Sequence, residues 1–219
     1  MSESNHIIYA VYGASGFGRG VMPFAREMLE VGTAKVVFID DNPSAPTILN
    51  GHEVYSYQEF LSLPHKNKYV CIAIADNHIR KVIVEKLIKD EIHHWSVQAS
   101  TSVIMDNVEI GEGSILCSFT HFTSNIRVGK FFHANYYSYV AHDCIIGDFV
   151  TFAPGVKCNG NIIIEDYAYV GTGAIIKQGT PDKPLIIGKG AVIGMGAVVT
   201  KNVPAGITVV GNPAKPLVR

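Results

Sequence analysis

The sequence predicts two folds in series, an α/β domain built on a small parallel sheet and then an all-β solenoid, and three observations predict it. From Ile104 to Ile176 an apolar residue falls at every sixth position: Ile104, Ile110, Leu116, Phe122, Val128, Ala134, Val140, Ile146, Phe152, Cys158, Ile164, Val170 and Ile176. In a chain that is 47% apolar, such a run would arise by chance in roughly a few of every ten thousand sequences, even over six frames. Before about residue 100 that period is absent, and strand-like and helix-like stretches alternate instead. Between the two patterns lies His93 to Ser102, so the expected domains are 1–98 and 99–219.

In the first domain Ile7 to Tyr12 reads as a buried strand, Phe17 to Val31 as a helix and Lys35 to Ile39 as a second strand. A Pro-rich loop, Asn42 to Pro46, precedes a short helix from Tyr57 to Leu63. Tyr69 to Ala75 is a third strand, and Asn77 to Lys89 a second long helix with apolar spacing at Ile79, Val82, Ile83 and Leu87. The stretch near Trp95 adds an edge strand. Alternation of this kind predicts a small Rossmann-like parallel sheet with helices on its faces.

A period of six fits neither an amphipathic helix nor a simply alternating strand. Each hexad is therefore a short strand plus a corner, and three hexads close one triangular coil of about eighteen residues. The anchor points inward and stacks on its equivalents, while glycines after anchors, such as Gly111, Gly129, Gly147, Gly188 and Gly194, relieve crowding where the backbone turns. Anchors resume at Ile187, Ile193 and Val199, giving about five coils. The segment Gln178 to Leu185 lengthens one step between anchors from six residues to eleven and is expected to bulge.

Composition excludes several classes. With a formal net charge of -1 there is no basic stripe of the kind nucleic-acid binding needs. Neither a basic leader nor an apolar run near the roughly 20 residues that span a bilayer is present, so the expected address is the cytoplasm. Cys71, Cys117, Cys144 and Cys158 show no metal spacing; Cys71 and Cys158 read as small core residues, and neither disulfides nor zinc are expected.

The first strand runs into Gly13-Ala14-Ser15-Gly16-Phe17-Gly18-Arg19, and the second into Asp40-Asp41. Backbone N–H groups and a helix N-terminus at such a turn hold phosphate, and carboxylates after the second strand accept from ribose hydroxyls. The same residues also suit a structural turn with two solvated aspartates. If a ligand binds, Gly13, Ser15, Gly16, Phe17, Gly18, Asp40 and Asp41 are its candidates, and a domain of about a hundred residues suits a mononucleotide diphosphate better than NAD.

In the solenoid the chemistry concentrates in Phe131 to Asp143. His142, two residues past an anchor and next to Asp143, suits a general base whose tautomer the carboxylate sets. One coil on stands Gly160, whose N–H is placed to polarise a thioester carbonyl or to form a plain corner. Asn135 is a candidate for a substrate hydroxyl or diphosphate, or an αL corner residue. The aromatics Phe131, Phe132, Tyr136, Tyr137 and Tyr139 read as a sugar wall or as packing between subunits.

The chain resembles the hexapeptide-repeat acyltransferases, within them the nucleotide-sugar group that includes sialic acid O-acetyltransferases and N-acetyltransferases of 4-amino-4,6-dideoxy sugars. The likeness runs over nearly the whole length. It rests on Tyr12 to Arg19, Asp40-Asp41-Asn42, Asn135, His142-Asp143, Ile146 to Val150, Ala153-Pro154-Gly155, Val170 to Ala174, Ile193 to Lys201, Val203-Pro204 and Gly211 to Lys215. It implies a left-handed parallel β-helix, against the usual crossover hand. It further implies a homotrimer with acetyl-CoA as co-substrate, the nucleotide held by the first domain, and active sites between subunits. The matching His142 would be the base on an incoming amine; the next residue is often glutamate in relatives and is the shorter Asp143 here. Gly155, Gly171, Gly173, Gly194 and Gly196 would let CoA lie close to the coil edges, with Lys201 or Lys215 meeting its phosphates and the Gln178–Leu185 loop beside its groove.

The expected function is N-acetylation of a TDP-, GDP- or UDP-linked 4-amino-4,6-dideoxyhexose in surface polysaccharide synthesis. O-acetylation of a sugar such as sialic acid and a non-catalytic nucleotide-sugar scaffold are the alternatives. A zinc lyase on the same fold is disfavoured, because His121, His133 and His142 are twelve and nine residues apart, not a multiple of the coil.

Overall fold

A computed structural model of the chain describes residues 7–29 and 34–218. They form two compact units that part between Ala99 and Ser100.

In the first unit β1 (Ile7–Tyr12), β2 (Lys35–Ile39), β3 (Ile48–Leu49), β4 (His52–Tyr55), β5 (Asn67–Ile72) and β6 (His93–His94) make one sheet in the order β3-β4-β2-β1-β5-β6. All pairs are parallel except the β3–β4 hairpin. That hairpin escapes the sequence reading, although its turn is Asn50-Gly51, both at positive φ, the dipeptide that favours a tight hairpin. Helix α1 (Gly16–Glu27) buries Val21, Met22 and Ala25 and ends before the expected Val31; residues 30–33 lie outside the described residues. Helix α2 (Tyr57–Ser62) opens on a capping box between Ser56 and Glu59.

Two expectations need correction. β5 stops at Ile72, and Ala73 to Ala75 form a loop whose Ile74 and Ala75 carbonyls accept from the buried Arg80 guanidinium at 2.8 and 3.3 Å. Helix α3 (Asn77–Lys89), capped by Asp76, buries Arg80, Ile83, Val84 and Leu87, whereas Ile79 and Val82 are 51% and 63% exposed. The arginine spends its long apolar stem inside the fold and its head on carbonyls, a use that apolar periodicity does not register.

The second unit is a parallel β-helix of three sheets. The first sheet carries Ile115–Leu116, His133–Ala134, Thr151–Phe152, Tyr169–Val170, Val192–Ile193 and Thr208–Val210; the second runs from Val103–Ile104 to Val198–Val199, and the third from Val108–Ile110 to Leu185–Ile187. Up to Ile176 the register between neighbouring coils is eighteen residues, as in His133 opposite Thr151 and Tyr139 opposite Lys157, and across the lengthened step it is twenty-three, as in Ile164 opposite Ile187. The anchors fill the interior, and Phe132 lies edge-on to Phe122 and Phe152 at centroid distances of 6.2 and 5.2 Å. Only the opening anchors depart: Ile104 is 38% exposed and Ile110 half-buried, because no rung precedes Ile104 in the second sheet. The residues after the anchors often cannot carry a side chain, since a Cβ on Gly111 would stand 2.6 Å from the Gly129 backbone.

Candidate active site

In the first unit the turn after β1 and the start of α1 face a cleft of about 460 Å³ lined by Gly13, Ala14, Ser15, Ile74, Ile79 and Val82, among others. Gly13 holds φ +109°, and a Cβ on Gly18 would fall 1.7 Å from the Gly13 carbonyl, so both glycines are set by the backbone's close approach. Ser15 is the N-cap of α1 but makes no side-chain capping bond, leaving the positive end of the helix toward the cleft without a side-chain cap. Gly16 and Phe17 follow in the first turn.

The two aspartates differ. Asp40 accepts from the N–H groups of Ala14 at 3.2 Å and Asn42 at 2.9 Å. Asp41 is taken up by its own chain: it accepts from the Tyr12 hydroxyl and from Tyr57 N–H at 2.8 Å, with Lys86 at 3.7 Å. Burial works against its charge, yet the Tyr12 hydroxyl, the Tyr57 N–H and Lys86 hold its carboxyl below the ordinary carboxylate range. Both aspartates line the cleft. Of the four apolar positions spaced along α3, the exposed Ile79 and Val82 give the cleft an apolar shelf.

In the β-helix three residues come together at the corner between the second and third sheets. Asp143 adopts φ +58°, a left-handed conformation that Asp and Asn tolerate, and this bends its carboxylate back onto the preceding side chain. The His142 Nδ1 lies 2.7 Å from Asp143 Oδ2, so the shorter acid reaches the ring. An imidazole that donates Nδ1–H to a carboxylate keeps its lone pair on Nε2, the state a base requires. Pairing with His142, and then with Asn125, lowers the pKa of the Asp143 carboxyl. Both side chains are nearly half exposed.

Gly160 is the neighbour expected one coil on: Asn161 N–H donates to the His142 carbonyl at 3.0 Å, and a Cβ on Gly160 would stand 2.5 Å from His142 Cε1 and Nε2. The lengthened step leaves from this same edge, with Gly179 N–H donating to the Gly160 carbonyl at 3.0 Å and Leu185 N–H to Asn161 at 3.1 Å. Tyr139 is also local, its hydroxyl donating to Asn159.

Other candidates stand elsewhere. Asn135 lies at the corner between the first and second sheets, where its side-chain oxygen accepts from Tyr136 N–H at 2.9 Å. That corner also carries Gly155, Gly173 and Gly196 at φ +73°, +68° and +66°, the last two with open space where a Cβ would point. Gly171 and Gly194 are different: a Cβ on either would meet an atom of the next coil at 2.7 Å, so they serve coil stacking rather than an open edge. Lys201 and Lys215 are exposed. Phe132 belongs to the core, and Phe131 is buried in a stacked ladder with Phe149 and Tyr167 at the remaining corner, so neither walls a sugar pocket. His133 is buried in the first sheet and His121 exposed in the second, and among the described residues no three metal-binding side chains gather.

Residues 9–87 match the family described as the PglD N-terminal domain. The chain is 49% identical over 97% of its length to the GDP-perosamine N-acetyltransferase of Escherichia coli O157:H7, of which it covers 97%. Among solved structures it is similar to WeeI from Acinetobacter baumannii AYE (63% identity, 96% of this chain and 100% of that one, TM-score 0.92). It is also similar to the acetyltransferase domain of PglB from Neisseria gonorrhoeae FA1090 in complex with acetyl coenzyme A (30% identity, 96% and 98%, TM-score 0.85).

Proposed function

Since the chain belongs to the hexapeptide-repeat nucleotide-sugar acetyltransferases, left-handed β-helix enzymes that use acetyl-CoA, we propose that it acetylates the 4-amino group of a GDP-linked 4-amino-4,6-dideoxyhexose of the perosamine type. The observation that carries the choice of nucleotide and amine is the near full-length identity to a GDP-perosamine N-acetyltransferase.

The reaction needs little machinery. The sugar's neutral amine attacks the thioester carbonyl directly; a C–N bond forms, the C–S bond breaks, and the thiolate of CoA leaves. His142 Nε2 takes the proton that the nitrogen sheds, and Asp143 holds the ring and stabilises its charged form. The Gly160 N–H is the donor for the carbonyl oxygen as it gains charge. Alignment of amine and thioester supplies several kcal/mol, up to roughly 7 to 11 in the best intramolecular models, and the base adds about 10²- to 10⁴-fold. The cleft at Gly13 to Ser15 holds the nucleotide diphosphate, with Asp40 toward the ribose. CoA runs along the open glycine edge of Gly155, Gly173 and Gly196, with Lys201 and Lys215 as phosphate contacts and Asn135 as a polar contact for a substrate. Because the glycine edge and His142 occupy different corners of one coil stack, a homotrimer with sites shared between neighbours is the assembly we infer. The product's use in surface polysaccharide synthesis and a cytoplasmic site of action complete the reading.

The test is CoA release from acetyl-CoA with GDP-, TDP- and UDP-linked 4-amino-4,6-dideoxyhexoses and their 4-hydroxyl counterparts. We expect turnover with the GDP-linked amine, falling about 10²- to 10⁴-fold in His142→Ala. Turnover with hydroxyl sugars alone would overturn N-acetylation, and full turnover in His142→Ala would remove the base.

A further inference from the structure

At the corner that carries His142, the residues one and two coils before Asp143 are Asn125 and Asn107. All three adopt positive φ, 54° at Asn107, 56° at Asn125 and 58° at Asp143. That conformation alone does not call for an amide, because glycine occupies it at Gly155, Gly173 and Gly196 along another corner. What the amides add is a chain of hydrogen bonds with one direction. Asn107 Nδ2 donates to Asn125 Oδ1 at 3.2 Å, Asn125 Nδ2 donates to Asp143 Oδ1 at 3.2 Å, and the other carboxylate oxygen, Oδ2, lies 2.7 Å from His142 Nδ1.

We propose that Asn125 is a positioning residue for the acetyl transfer, holding Asp143 so that its second oxygen meets the His142 imidazole, and that Asn107 keeps the Asn125 amide the right way round. This rests on the reading of His142 as the base. An ionised carboxylate only accepts, so the amide nitrogen must face it. By donating to Asn125 Oδ1, Asn107 occupies the carbonyl end and leaves the nitrogen for Asp143. With one oxygen held, the carboxylate cannot swing about its own side-chain bonds, and the ring it orients is held with it. The same bond from Asn125 helps to keep the Asp143 carboxyl ionised. A groove of about 510 Å³, lined by Asn107, Asn125, Asp143, Glu109 and Arg127, runs beside the ladder. The ladder thus forms one wall of that groove.

A double-mutant cycle of Asn125→Gly and Asp143→Gly tests this, since glycine accepts the positive φ at both places and removes only the side chain. We expect Asn125→Gly to lower kcat about 3- to 10-fold, the effect of one exposed hydrogen bond to a charged group, with both KM values and the thermal midpoint unchanged. We expect Asp143→Gly to lower kcat further, and Asn125→Gly to cost nothing more in that background. Wild-type kcat in Asn125→Gly, or the same loss in both backgrounds, would overturn the positioning role. Wild-type kcat in Asp143→Gly would overturn the positioning role at its link to the ring, whereas full turnover in His142→Ala would overturn the base reading on which it rests.

Discussion

At Gly160 the absence of a Cβ leaves room for the His142 ring. The glycine's backbone is outside the positive-φ region, so alanine fits there without strain, but the added Cβ would lie 2.5 Å from His142 Cε1 and Nε2. The ring is nearly half exposed and will turn away rather than unfold the coil. Gly160→Ala is expected to lower kcat about 10- to 100-fold, since a misplacement near 1 Å costs that much, while the thermal midpoint stays close to wild type. Unchanged kcat would show that His142 Nε2 does not need its present position. At this scale the sequence was legible where a coil length could be counted: His142, Asp143 and Gly160 meet as the spacing of eighteen requires. It was not legible for Asn107 and Asn125, because an Asn at a corner reads first as an αL residue, and only the side-chain bonds between coils show a second use. For Asp41 the sequence likewise does not show the contacts that Tyr12, Tyr57 and Lys86 make with its carboxylate.

Among the elements, Asp41 ties the end of β2 to the end of β1 through Tyr12, to the first turn of α2 through the Tyr57 N–H, and to α3 through Lys86. Its carboxyl is lowered in the fold, so the stability it contributes is complete above the unfolded carboxylate value and is lost as the pH falls through the lowered folded value. Asp41→Asn keeps the shape and removes the charge. We expect the variant to melt lower than wild type at pH 7 and the gap to close as the pH is taken down through the carboxylate range, followed by circular dichroism. A gap that is constant with pH would mean the charge contributes nothing. Elsewhere β1, β2 and α3 fall at their expected bounds, because each is a long run with a clear pattern and a stop signal. The two-residue β3 is too short to carry a pattern, and α3 shows the limit of periodicity: its Ile79 and Val82 line a cleft while Arg80 goes inside.

For the whole molecule the inferred assembly sets the mass in solution. One chain has a mass of 23.8 kDa, and the inferred homotrimer is expected to show three times that mass by light scattering. Met105, Phe119, Tyr137 and Ile145 of the β-helix, each about half exposed in one chain, are the kind of surface that such contact covers. A monomer with full activity would overturn a site shared between neighbours. The sequence by itself determined the β-helix, the parallel strands before it and the pairing of His142 with Gly160, because each follows from a repeated local period that packing must respect. Only the tertiary structure decided which glycines serve coil stacking and which leave an edge open, what each of Asp40 and Asp41 accepts from, and what Asn125 touches. Those depend on distances between side chains of different coils and strands, and no pattern along one chain records them.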